Sequence, residues 1–120
     1  VHTIFVHLLQ TDYAWRGAFE GGLRHEDLEP SAYPDLAALR AGFAAEEAAW
    51  DAVLAGLGPV DGAIPITVTW RHGFQYDFYR DDLLNHLMLH GRQHFAELAQ
   101  LLTEYGQSPG DIDLVFLLFE

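Results

Sequence analysis

Three histidines follow one another at intervals of four residues in the last third of the chain: His86, His90 and His94. On an α-helix, residues four apart lie on the same face, so these imidazoles can approach one another. Two imidazoles at this spacing can bind one divalent ion, and a third from a facing helix leaves coordination positions open for water or substrate. Hydrogen-bonded core histidines show the same spacing by chance, so the spacing alone leaves both interpretations open.

A polar stripe borders the apolar face of the same segment. With about 100° of rotation per residue, Gln93 and Glu97 fall beside His86 and His90, whereas His94 falls inside the apolar face. We expect Gln93 to line the site and Glu97 to be either a general base at a metal site or a solvated residue. We expect His94 to be a packed or hydrogen-bonded core histidine, with the role of a further ligand as the alternative.

The first twenty residues supply a histidine for a facing helix. His7 lies beside an apolar arc, and Asp12 falls within that arc. The arc consists of Ile4, Leu8, Trp15 and Phe19. Buried carboxylates are rare without a partner, so Asp12 is expected either to orient a metal-binding imidazole or to form a hydrogen bond to another helix. No individual catalytic residue follows from these patterns.

The surrounding sequence predicts the elements that must position these side chains. Apolar periodicity predicts helices over residues 2–20, roughly 34–56 and 80–105, each followed by glycine. PITVTW and FQYDFYR predict a short β-hairpin with its turn near His72 and Gly73. The apolar tail SPGDIDLVFLLFE is expected to pack back along the helices, and Glu46 and Glu47 are expected to lie on a solvated face.

Composition excludes several classes of function. The 120 residues suit one domain, 1–120, and contain no cysteine, which excludes disulfides, thiolate ligands and a cysteine nucleophile. Six arginines and no lysine stand against eighteen acids, for a net charge of −12, so nucleic acid and anionic membranes are not expected partners. No segment resembles a signal peptide or a membrane span, so we expect a cytoplasmic protein. Because the chain begins at Val1 inside a helical pattern, we expect it to be a piece of a longer protein.

Two stretches resemble the DinB/YfiT-like family of metalloenzymes. LLNHLMLHGRQHFAELAQLLTEYGQSPGDIDLVFLLFE resembles its C-terminal signature: Asn-His, a second histidine four residues on, a nearby glutamine and an aspartate before a final apolar segment. FVHLLQTDYAW resembles its upstream helix, in which a histidine precedes a polar residue and a tryptophan. One departure is HGRQ where the family more often has HRGQ, which moves the arginine, here Arg92, by one position and leaves Gln93 in register.

The resemblance implies a fold and a ligand set. The fold would be all-α, an up-and-down four-helix bundle with a short β-hairpin before the last long helix and with its N-terminal helix missing from this chain. The implied metal ligands are His7, His86 and His90. An uncovered apolar flank of such an incomplete bundle favours a homodimer.

The function implied by the resemblance is that of a divalent-metal-dependent enzyme, with zinc or nickel as the cofactor. The substrate would be a small molecule, in one form a low-molecular-weight thiol, and the reaction thiol-dependent transfer or isomerisation, or metal-assisted hydrolysis. The alternative is a non-catalytic stress-response or protein-binding module whose metal site is vestigial or stores an ion. A cleft beside an open coordination position would favour the enzyme.

Overall fold

The computed structural model describes residues 1–111 of the chain. Within them lie three α-helices and one two-stranded antiparallel sheet: α1 (His2–Glu20), α2 (Leu36–Ala55), β1 (Pro65–Thr69), β2 (Gln75–Tyr79) and α3 (Arg80–Glu104). The predicted helical fold with a hairpin before the last helix is therefore confirmed, while the fourth helix of a bundle stays a prediction. Residues 112–120, which carry the apolar part of the predicted tail, lie outside the described residues.

The helix ends follow local sequence signals. The Asp35 carboxylate accepts a hydrogen bond from the Ala38 N–H (2.8 Å) and so caps the N-terminus of α2. Asp81 and Asp82 occupy the first turn of α3, where negative charge is favourable to the helix dipole. Gly21 ends α1 with a φ of 123°, a conformation that costs glycine little. Among residues 1–111, none of the helices combines the length and the apolarity needed to cross a bilayer.

The hairpin closes as its sequence predicts. Ile66 pairs with Phe78 and Val68 with Tyr76, so the register is set by alternating side chains on the two strands. Gly73, in the connecting turn, has a φ of 80° and donates its N–H to the Trp70 carbonyl (2.8 Å). The turn therefore holds Trp70 at a fixed place above the helices.

One apolar cluster joins the hairpin to two helices. Ala18 of α1, Val68 of β1 and Leu83 of α3 are all less than 5% exposed and pack together. The partly buried residues around them are Trp15, Phe19, Leu23, Ile66 and Phe78. Burial of this apolar surface is the main contribution to the stability of the packing between the hairpin and the two helices. The cluster fixes α1 across α3 and holds the hairpin beside both helices.

A largely buried ion pair connects α1 to α2. Arg16 donates from Nε to Glu46 Oε1 (2.5 Å) and from a terminal nitrogen to Oε2 (3.1 Å), with the two side chains only 11% and 10% exposed. The expectation of a solvated Glu46 was wrong, because Arg16 on the facing helix draws this carboxylate inward. Its neighbour Glu47 is exposed, as predicted.

Candidate metal site

Three imidazoles from two helices converge at the crossing of α1 and α3. His90 and His94 lie one turn apart on α3, and His7 faces them from α1. The Nε2 atom of His90 is 3.3 Å from that of His7 and 3.2 Å from that of His94. One ligand nitrogen from each of the three residues lies within 4.8 Å of the other two. We call this group the histidine cluster.

The donor atoms of the cluster fit a divalent ion. The Nε2 of a neutral imidazole carries either one N–H or one lone pair, so His90 Nε2 cannot be fully satisfied by hydrogen bonds to two other imidazoles. A tetrahedral ion with Zn–N bonds of about 2.1 Å separates two nitrogen ligands by about 3.4 Å, close to the 3.2 and 3.3 Å between these atoms. Imidazole nitrogen is a preferred ligand of zinc and nickel.

The surroundings of His90 favour its neutral form. Partial burial lowers the pKa of His90, and the neighbouring imidazoles of His94, His7 and His86 lower it further, in that order. A metal ligand must be unprotonated, since the lone pair that binds the ion otherwise binds a proton. The cluster thus keeps its central imidazole ready to act as a donor.

Glu97 and Gln93 orient the third imidazole. The Nδ1–H of His94 donates to Glu97 Oε2 (2.6 Å), and Gln93 Nε2 donates to Glu97 Oε1 (3.3 Å). The hydrogen bond from His94, followed by that from Gln93, lowers the pKa of the Glu97 carboxyl. A carboxylate at Nδ1 leaves the Nε2 lone pair of His94 free to face the other two rings. Glu97 and Gln93, both predicted at the site, therefore lie beside it and act on His94.

His86 lies at the edge of the cluster. Its side chain is exposed, and its ring centroid is 5.5 Å from that of Trp15 and 5.9 Å from that of His90. The structure therefore brings His7 and His90 of the predicted ligand set together with His94, and His86 lies outside this group. The predicted set with His86 stays a prediction.

The position of His94 on α3 brings its ring against α1. Helical rotation puts His94 on the apolar face of α3, which suggests a core residue. That face is the one α1 covers, and α1 brings His7 against it, with ring centroids 4.8 Å apart. Both expectations for His94, a packed core histidine and a further ligand, stay predictions.

Asp12 lies on a side of α1 other than the one that carries His7 to the histidine cluster. Burial raises its carboxyl pKa from 3.8 to about 6, and the charge of Glu46 on α2 contributes to the rise. Within residues 1–111 its carboxylate forms no hydrogen bond to the histidine cluster, and its backbone carbonyl accepts from Trp50 Nε1 (3.2 Å). The structure thus places Asp12 in the interface between α1 and α2.

Replacing Asp12 by asparagine is expected to stabilise the protein at pH 7.5 and to leave stability nearly unchanged near pH 4. A folded pKa of about 6 against 3.8 for the free group means that the folded protein holds a proton between these pH values that the unfolded chain releases. The stability contributed by this proton is complete below about pH 4 and is lost as pH rises through about 6. Thermal unfolding of both proteins across pH 4–8 measures this difference; a constant offset between them would contradict it.

A cavity of about 540 Å³ adjoins the histidine cluster, and His7 is part of its wall. Its other walls come from the loop after α1 and from the hairpin turn, and they are rich in aromatic rings. Trp15 and Trp70 meet edge to face there, with centroids 5.6 Å apart and an interplanar angle of 87°. Volumes of about 300–1,000 Å³ are typical of small-molecule sites. The cavity opens beside the side of the cluster that His7 forms.

A comparison with models of protein families identifies the family of the chain. The family model described as the DinB superfamily matches residues 1–98, a range that includes α1, α2, the hairpin and most of α3. All three residues of the histidine cluster, and His86, fall inside the matched range. No curated protein matches the chain.

Proposed function

Because the chain belongs to the DinB superfamily, we propose that it is a divalent-metal-dependent enzyme in which His7, His90 and His94 hold the ion. The observation that carries the proposal is the convergence of three imidazole nitrogens at the wall of a cavity. Zinc or nickel is the proposed ion, since both accept imidazole nitrogen. Three protein ligands leave coordination positions for a substrate, which is typical of catalytic sites and not of structural ones.

The chemistry follows from the donor set and its neighbours. A divalent ion held by three imidazoles would polarise or help to deprotonate a substrate group. Glu97 holds the Nδ1–H of His94 and so fixes the tautomer whose Nε2 can donate. The partly buried His90 stays neutral because its pKa is lowered. Trp15 and Trp70 line the adjoining cavity and would contact a substrate bound there.

The reaction we propose is thiol-dependent transfer or isomerisation, with metal-assisted hydrolysis as the second form. The chain contains no cysteine, so the thiol would arrive as a low-molecular-weight substrate. A cavity of about 540 Å³ is large enough for such a molecule. A non-catalytic protein-binding module would need no cavity beside the metal-binding histidines. The presence of the cavity therefore favours the enzyme.

A four-helix bundle and a homodimer belong to the same proposal. The three described helices would supply three members of the bundle. Met88, Leu89 and Phe95 of α3 are 66%, 72% and 49% exposed, an unusual concentration of large apolar side chains on one helix. A second copy of the chain that buried this flank would remove it from water.

Turnover by the metal-loaded protein tests the proposed function. Protein reconstituted with zinc or nickel is expected to conjugate 3-mercaptopropionate to an aromatic electrophile or to hydrolyse p-nitrophenyl acetate, and to lose this activity when the ion is removed. His90→Ala should be inactive, whereas His2→Ala, which removes a histidine bonded to the Tyr33 carbonyl, should keep the activity. Metal-loaded protein without turnover on either substrate class, or equal turnover by His90→Ala, would count against the enzyme.

A further inference from the structure

The cavity beside the histidine cluster differs in charge from the rest of the chain. The whole chain has six basic residues and eighteen acidic ones, but the cavity is lined by two arginines and one aspartate. With neutral histidines its lining carries a formal charge of +1, from two positive side chains and one negative, while the chain carries −12. Glu20 pairs with Arg24, and the charge of Glu26 acts on Arg71, so the cavity as a whole has no positive field. What it offers an anion is the Arg71 guanidinium at its rim.

The two arginines of the cavity differ in how firmly they are held. Arg24 donates to the Glu20 carboxylate and to the Tyr13 carbonyl, and its guanidinium lies 4.6 Å from the centre of the Tyr13 ring. Arg71, in the hairpin turn, pairs only with Asp27 of the loop after α1 among residues 1–111. The Arg71 and Asp27 side chains are 53% and 66% exposed, and ion pairs this exposed contribute little to stability. A competing carboxylate can therefore replace Asp27 on Arg71.

The aromatic wall supplies a surface for a flat apolar body. Trp15 and Trp70 present ring faces and edges to the cavity, and Phe74 and Tyr76 of the hairpin, 66% and 55% exposed, extend this surface. Large aromatic side chains exposed beside a cavity gain most from contact with a planar ligand. The cavity thus combines an aromatic wall with an arginine at its rim.

We propose that the cavity binds a small organic acid with a planar apolar body, whose carboxylate binds Arg71 in place of Asp27 and whose body packs against Trp15 and Trp70. The Arg71 guanidinium offers the bidentate geometry that a carboxylate accepts. The proposed ligand is also a substrate class for the proposed enzyme. Its reaction beside His7 rests on the proposed function. The binding itself needs only the cavity.

Fluorescence titration of the chelator-treated, metal-free protein tests the inference. Trp15 and Trp70 line the cavity, so a bound ring changes their emission, whereas Trp50 packs against Phe19 elsewhere, with centroids 5.3 Å apart. Benzoate is expected to bind about tenfold more tightly than its neutral isostere benzamide, as charge-assisted bonds are roughly twice as strong as neutral ones. Benzylamine should bind more weakly than benzamide.

Two substitutions, one in Asp27 and one in Arg71, should change the affinity for benzoate in opposite directions and leave the affinity for benzamide unchanged. Asp27→Asn removes the internal competitor of Arg71 and is expected to strengthen benzoate binding about threefold, with benzamide unchanged. Arg71→Gln is expected to weaken benzoate binding about tenfold. Arg40→Gln, which removes the same charge from an exposed site on α2, should change neither.

The inference is overturned if benzamide binds as tightly as benzoate, if Arg40→Gln weakens benzoate as much as Arg71→Gln, or if Asp27→Asn weakens it. The metal-free measurement separates the inference from the proposed function. Selective benzoate binding supports the inference even where metal-loaded protein shows no turnover. Turnover without benzoate selectivity overturns the inference and leaves the proposed function standing.

Discussion

Protein carrying His90→Ala is expected to bind a divalent ion at least about a hundredfold more weakly than the wild type. His90 Nε2 is the atom that lies within 3.3 Å of both His7 Nε2 and His94 Nε2, so its removal leaves the other two donors without a common centre. Even partners that only orient a metal ligand contribute about 10- to 100-fold to affinity, and a ligand itself contributes more. The loss is therefore expected to be close to complete at micromolar metal.

Elemental mass spectrometry after reconstitution and dialysis measures this effect on protein purified without an affinity tag. His2→Ala is the matched control, because His2 lies outside the cluster and contacts the Tyr33 carbonyl (2.7 Å). Circular dichroism of both variants separates loss of the site from loss of the fold. If the His90→Ala variant keeps one ion per chain, the ion binds at a site other than the histidine cluster.

Glu46→Ala is expected to lower the free energy of unfolding by about 3 kcal/mol, because removing one member of a buried pair leaves the other charge uncompensated. Arg16 would keep its hydrogen bond to Glu20 (2.7 Å), but Glu20 is the more exposed of its two partners, at 36% against 10% for Glu46. The Glu46 carboxylate is the first cause of the raised pKa of the Arg16 guanidinium. Small domains are stable by about 5–15 kcal/mol, so the loss would be a large fraction of the total.

Urea unfolding at pH 7 of Glu46→Ala and Glu47→Ala measures the effect. Glu47 is the next residue on the same helix and is exposed, so its removal should change the free energy of unfolding by less than about 0.5 kcal/mol. Glu46→Ala should also lower the pKa of Asp12, since the Glu46 charge helps to raise it. Equal losses in the two variants would contradict the assigned role of the ion pair.

The helices and the hairpin could be predicted from sequence because their signals are local. Apolar periodicity and flanking glycines placed α1, α2 and α3 within two residues of their observed ends, as expected for strongly periodic segments. Gly73 in the predicted turn has the positive φ that its residue type favours. The family resemblance is also confirmed, since the family model matches residues 1–98. That range contains the whole of FVHLLQTDYAW and the first part of the second stretch, including its three histidines.

The details of the site depend on how distant segments pack, which periodicity does not specify. The grouping of His94, rather than His86, with His7 and His90 follows from the place where α1 crosses α3. The inward position of Glu46 follows from Arg16, thirty residues earlier on another helix. Local pattern identifies which face of a helix is apolar, but the partner of each side chain is set by the crossing of the helices.

The cavity is the clearest case of a feature that sequence analysis missed. Its rim is closed by Arg71 and Asp27, which are 44 residues apart in the chain. One lies in a hairpin turn and the other in a loop, and each would be expected to be solvated if considered alone. One sequence signal for the cavity was available. Arg71 is one of only six basic residues, and it lies between a tryptophan and a histidine in the predicted turn.

The most direct test of the account is the metal content of His94→Ala compared with that of His86→Ala, each reconstituted with zinc and dialysed beside the wild type. We expect about one ion per chain in the wild type and in His86→Ala, and none in His94→Ala, because His94 Nε2 lies 3.2 Å from His90 Nε2 while His86 packs against Trp15. An ion retained by His94→Ala and lost from His86→Ala would contradict it, and would establish His7, His86 and His90 as the ligands.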